Sequence, residues 1–252
     1  GKLREGIVSS KRRDQLTLEG SLYSVYETSL YLAILFHSPK QISSVVSHLI
    51  PELYSQVPGP QPHRTPSVLI ALLHQLVLGS PSQNLYYSFL QAIPDHLLPR
   101  SSAAYLWLSS VASSLRMHNH CRFEQLTRSS SLSSFLDDVP SVPLDDRLAK
   151  LSLSSQSDRD LLKKALYSVV NDLRAKARES AWTVIRSAYR EISCHTGSPT
   201  RDWLEKSLTL HDVSSDTNTM TLNQWLQEKS SINHVRQKEG VEGRWIIYKA
   251  PR

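Results

Sequence analysis

Asn233 to Lys249 reads NHVRQKEGVEGRWIIYK, two runs of extended-chain residues around Gly240 and Gly243. Valine, isoleucine and aromatic residues flank glycines that accept the backbone angles of a tight turn, so the stretch predicts a β-hairpin. Alternation along a strand sends Arg244, Ile246 and Tyr248 to one side and Trp245, Ile247 and Lys249 to the other. Trp245 and Ile247 are the pair expected in a core, which leaves Arg244 and Tyr248 outside.

Just before this hairpin, TLNQWLQEKS (Thr221 to Ser230) reads as a short helix with Leu222, Trp225 and Leu226 on one side. Earlier, Ser198 and Pro199 are an N-cap and a first-turn proline opening the helix TRDWLEKSLTL. A longer helical signal precedes them. Leu162, Ala165, Leu166, Val169, Val170 and Leu173, then Ala181, Val184, Ile185, Ala188 and Ile192, suggest two helices with a break near Lys176 to Ser180. Three helices followed by a two-stranded wing is the winged-helix arrangement, expected over residues 177–252.

Residues 1–176 are expected to form a helical-hairpin domain. Leu18, Leu22, Val25, Tyr26, Leu30 and Ala33 recur at helical spacing, and Ser38-Pro39 opens a second helix through Ile42, Val45, Val46, Leu49 and Leu53. Pro58 to Pro66 reads as a loop, Ser67 to Leu78 as an apolar helix stopped at Gly79, and Ser80-Pro81 as the start of the next. Helices over Ala103 to Met117 and His120 to Arg128 follow. Short helices joined by Pro and Gly loops build a helical stack, here without a fixed-period repeat. Residues 129–157, rich in Ser, Asp and Pro, read as a long mobile connection. The expected fold class is therefore all-α for the most part, a helical-hairpin (TPR-like) stack ending in a winged helix with a small β-hairpin.

Bulk properties set bounds on function. The 252 residues, 40% hydrophobic and 21% charged, are enough for a large helical domain and a small terminal one. A net charge of +6 and a pI near 9.3 suit a nucleic-acid or acidic-protein partner. Cys121 and Cys194 are the two cysteines, which gives neither a disulfide framework nor a metal-finger spacing. No apolar run approaches the roughly 20 residues of a membrane span. The opening GKLREGIVSSKRRD lacks the apolar core of a secretory leader, so an intracellular chain without a membrane partner is expected.

Three segments resemble a known family. SKRRDQLTLEG (Ser10 to Gly20) is similar to a family stretch of the form Ser-Ile-Arg-x-Asp-Leu-Thr, with Gln15 as an extra residue. VYETSLYLAIL (Val25 to Leu35) resembles a tyrosine-glutamate-threonine helix, although Ser29, Leu30 and Tyr31 stand where the family often has His-Ala-Arg. SSLRMHNHCRFEQL (Ser113 to Leu126) resembles an alanine-rich helix, a Gly-Asn turn and an Arg-Phe pair, matched by Asn119, Arg122 and Phe123, with His118 replacing the glycine. The family is that of PCI-domain scaffolds of the Sac/GANP type, found in mRNA export and splicing-associated assemblies. The resemblance implies a non-enzymatic nuclear scaffold subunit in mRNA processing or export. Its implied partners are a second PCI-domain protein with a small acidic DSS/Sem-type subunit, and the basic residues add RNA or DNA as an expected contact. A structural subunit of a proteasome-lid-like PCI complex and a winged-helix DNA-binding regulator are the alternatives.

Other chemistry finds little in the sequence. His118, His120 and Cys121 are close together but lack a fourth ligand at metal spacing. Neither a Gly-x-Ser-x-Gly elbow nor a Gly-rich phosphate loop is present, so no cofactor and no small-molecule substrate are expected. Glu27, amid an amphipathic helix, is expected to form an internal hydrogen bond or ion pair. Basic residues are the more suggestive set. Arg174 and Arg178, like Arg186 and Arg190, lie four apart on common helix faces. The candidate nucleic-acid contacts are Arg186, Arg190, Arg236, Lys238, Arg244, Tyr248 and Lys249, cations for phosphates with an aromatic for stacking. Trp203, Leu222, Trp225 and Leu226 are the candidate partner-binding residues. The helix from Thr221 to Lys229 has one cation beside Glu228 and two Gln, which makes it a weak base reader.

Overall fold

The computed structural model describes residues 21–54, 63–137, 153–211, 213 and 220–249, which are mostly helical with one small three-stranded antiparallel sheet. They form two compact units, one from residues up to Leu108 with Leu132–Val169, the other from Ser109–Ser131 with Val170 onward.

In the first unit, α1 (Ser21–Leu35) packs on α2 (Pro39–His48) and on the π-helical turn Leu49–Leu53 that continues it, and α3 (Arg64–Gly79) packs on α4 (Asn84–Ala92). Every residue of α3 from Pro66 to His74 is buried, as expected of a helix that is apolar on all sides. That helix starts within the segment expected to be a loop. Pro66 fits because the first-turn N–H groups have no intrahelical acceptor in any case. The following helix starts at Asn84 rather than at Ser80-Pro81, with the Ser82 hydroxyl accepting from the Asn84 amide at 3.3 Å.

Next comes α5 (Ala103–Arg116), whose first part belongs to this unit, and then α6 (His120–Leu126) in the other. The Ser-rich stretch expected as a connection begins with a helix, α7 (Ser129–Asp137). Leu132 and Phe135, three apart, supply its apolar stripe. Leu132 is buried, and Phe135 meets the Trp107 ring at 5.1 Å. The rest of that stretch up to residue 152, and the Ser10 to Gly20 motif, lie outside the described residues.

One 36-residue helix, α8 (Leu153–Ala188), replaces the two helices expected around Lys176 to Ser180. Lys176 to Ser180 contains neither Gly nor Pro, and the buried face runs on through Ala177, Ala181, Trp182 and Ile185. Ile192, expected at the end of that helix, sits instead in a strand, β1 (Glu191–Ser193).

The second unit continues with α9 (Pro199–Ser207), α10 (Leu222–Ser231), β2 (Val235–Gln237) and β3 (Arg244–Ile247), in the sheet order β1-β3-β2. Ser198 caps α9, and Thr221 with Gln224 forms a capping box on α10. The register pairs Ile192 and Gln237 with Trp245, and Val235 with Ile247. Ile192, Val235, Trp245 and Ile247 thus share the sheet face that closes on Trp182, Leu204, Leu222, Trp225 and Leu226. Arg244 and Tyr248 are exposed, as the alternation required. Gly243 has φ +72°, and a Cβ there would lie 2.8 Å from His195 Nδ1.

Candidate functional site

The arginines of α8 do structural work in the second unit. Arg174 Nη1 donates to the Thr127 hydroxyl at 2.7 Å, at the C-terminal cap of α6, and its Nη2 donates to the His211 carbonyl. One turn on, Arg178 donates to the Leu208 and Thr209 carbonyls at 2.9 Å each, at the end of α9. The last carbonyls of a helix lack intrahelical donors and carry the negative end of its dipole, so a guanidinium there satisfies both. Arg186, expected to contact nucleic acid, is buried, and its Nε donates to the Tyr248 carbonyl at 3.1 Å. It closes the end of β3 and is withdrawn from any phosphate.

A similar correction applies to the partner-binding set. Leu222, Trp225 and Leu226 are buried in the unit's own core. Their apolar face is consumed by packing on the sheet and α8, so they cannot also present it to a second chain. Trp203 differs, being half-buried and meeting the exposed Tyr189 edge-on at 5.7 Å. It lines two grooves. One, of about 400 Å³, runs past Met117, His118, His120 and Val184; the other, of about 510 Å³, runs past Tyr189, Ile192 and Pro199.

Lys229, the cation of α10, is also turned inward. Its Nζ lies 2.8 Å from Glu179 Oε1 and 4.0 Å over the Trp225 ring. The exposed side of α10 then carries Asn223, Gln224, Gln227 and Glu228, with no cation.

Of the candidate nucleic-acid contacts, Arg190 and the wing residues remain outside. Arg190, Arg236, Arg244, Tyr248 and Lys249 are exposed, and Lys238 is half-exposed. Arg236 faces Ile246 across the ladder, and the Lys238 amide donates to the Arg244 carbonyl at 2.9 Å, which holds these two cations side by side. Between them reaches Glu191 of β1. Lys238 Nζ lies 3.2 Å and 3.3 Å from its two oxygens, and Arg244 Nη1 lies 3.5 Å from Oε1. Sequence reading missed Glu191 as part of this surface because a three-residue strand is too short for alternation to show.

Among the described residues no group of three or more His, Cys, Asp or Glu could hold a metal ion. At the α5–α6 turn, burial and the neighbouring His118 hold the His120 imidazole below its usual pKa. Burial pushes the Cys194 thiol up to about 11, which keeps it protonated. No helix among the described residues is long and apolar enough to cross a membrane. No protein-family model, curated protein or solved structure matches the chain.

Proposed function

We propose that the second unit is a winged helix and that the chain is a non-enzymatic PCI-type scaffold subunit of a nuclear mRNA-processing or export complex. The observation that carries this reading is the order of elements in that unit. A helix leads to strand β1, two helices follow, then a hairpin, and the hairpin's second strand lies central in the sheet β1-β3-β2. A helical layer precedes it in the chain, the arrangement that the three resembling segments also imply.

Its work is assembly. A second PCI-domain protein, accompanied by a small acidic DSS/Sem-type subunit, meets the exposed Val184 and Tyr189 and the half-buried Trp203, which border the grooves of the second unit. RNA lies along the wing, where Arg236, Lys238, Arg244 and Lys249 reach phosphates and Tyr248 offers a ring for stacking. A regulator reading duplex DNA needs donors and cations on the helix that enters the major groove. The cation-free exposed side of α10 therefore favours RNA along the wing.

Purification of the tagged chain from nuclear extract tests the assembly. A second PCI-domain protein with a small acidic subunit is the expected company. Recovery of proteasome-lid subunits instead would replace the proposed pathway, and a chain that comes down alone and binds duplex DNA would replace the function.

A further inference from the structure

Glu191 stands where the wing's cations converge. It is registered opposite Ile246, one row along from Arg244, so its side chain crosses the outer sheet face diagonally to reach Lys238 and Arg244. Both of its oxygens are engaged by Lys238 Nζ, and Oε1 also meets Arg244 Nη1. Two cations about one bridging carboxylate is the arrangement that a phosphate's oxygens would also take. All three side chains remain partly open to water, at 38% to 46% of full exposure. The contact is therefore within a phosphate's reach, and exposed pairs of this kind are worth little enough to exchange.

We infer that the Glu191 carboxylate holds the place of a nucleic-acid phosphate between Lys238 and Arg244, so that RNA binds the wing by displacing it. This rests on the reading of the wing as an RNA surface and adds its regulation. The carboxylate is an internal competitor that lowers the wing's affinity for any isolated phosphate. A strand that adds contacts at Arg236 and Lys249 and stacks on Tyr248 offsets that loss, whereas a lone phosphate has no further contact with which to offset it. The wing thereby favours an extended polyanion over small anions.

The test measures binding of a fluorescent single-stranded oligouridine to the full chain over a salt series, for the native protein, Glu191→Gln and Glu239→Gln. Glu239 is an exposed carboxylate in the wing turn, and its replacement changes the net charge by the same amount. Displacement predicts that Glu191→Gln tightens binding about two- to fivefold and steepens the salt dependence by about 0.7 in log–log slope. Glu239→Gln should do clearly less. Equal gains from the two variants would reduce the effect to net charge and overturn the inference, as would an unchanged Glu191→Gln. Glu191→Ser, read alongside thermal unfolding, should repeat the gain if the Gln variant perturbs the sheet. If neither the native chain nor any variant binds RNA, the RNA reading itself fails. Native binding without a Glu191 effect removes the displacement alone.

Discussion

The first unit buries a carboxyl among phenols, and the second buries guanidinium groups among carbonyls. Glu27 on α1 accepts from the Tyr54 hydroxyl at 2.7 Å, while the nearby Tyr31 hydroxyl shares a 2.7 Å hydrogen bond with Ser67. Burial pushes the Glu27 carboxyl up to about 7, with Asp158 adding to the rise and the Tyr54 hydrogen bond and Arg64 opposing it. Arg174 and Arg186 donate to a helix cap and to strand-end and loop carbonyls. A buried cation is thus stabilised by neutral dipoles pointing at it, whereas a buried acid with a single donor does better by holding its proton. The comparison also shows that a basic sequence is not automatically a basic surface. Three of the α8 arginines and Lys229 of α10 face inward, while Arg236, Arg244 and Lys249 of the wing are among the cations that stay exposed.

The largest effect expected from this contrast is at Arg174. Replacing it with Met keeps the stem's packing and leaves the α6 cap and the His211 carbonyl without their donor. Urea unfolding should show a loss of about 3 kcal/mol, as when one partner of a buried charged network is removed. A loss below about 0.5 kcal/mol would mean that water serves those carbonyls equally well.

A smaller, pH-dependent effect is expected at Glu27. Its folded pKa lies above the unfolded one, so the stability it contributes is complete below about pH 4.5 and is lost as pH rises through about 7. Glu27→Gln keeps an acceptor for Tyr54 and removes the titration. Thermal unfolding of the two proteins should coincide near pH 4.5 and diverge by about 2 kcal/mol in favour of Gln at pH 8. His63 and His74, whose pKa values burial lowers, act oppositely below about pH 6.5, and they cancel in the difference between the two proteins. Parallel curves would place Glu27 in contact with water.

Much of the architecture is legible in the residues because periodicity and punctuation agree. Ser198-Pro199 and the Thr221 capping box start their helices where expected, and the Gly240 and Gly243 turn divides two strands whose alternation correctly assigns Trp245 to the core. Misreadings arise where a local pattern is ambiguous. Lys176 to Ser180 looks like a polar gap, yet it is one turn of a continuous helix, with Ala177 buried and Arg178 turned to the end of α9. A helical Arg at four-residue spacing reads the same whether it faces phosphate or caps another helix, so Arg186 was legible as a cation but not as an internal one. The apolar stripe of Leu222, Trp225 and Leu226 likewise gives no sign of which partner covers it. Here the cover is the unit's own sheet.

The most direct test of the account is the salt dependence of oligouridine binding by the chain carrying Arg236→Glu, Lys238→Glu and Arg244→Glu together. If the wing is the RNA surface, affinity falls at least about tenfold and the log–log salt slope becomes shallower by about 2, with the unfolding midpoint retained. Unchanged affinity and slope in that folded variant would contradict the claim and send the search for any RNA contact elsewhere on the chain.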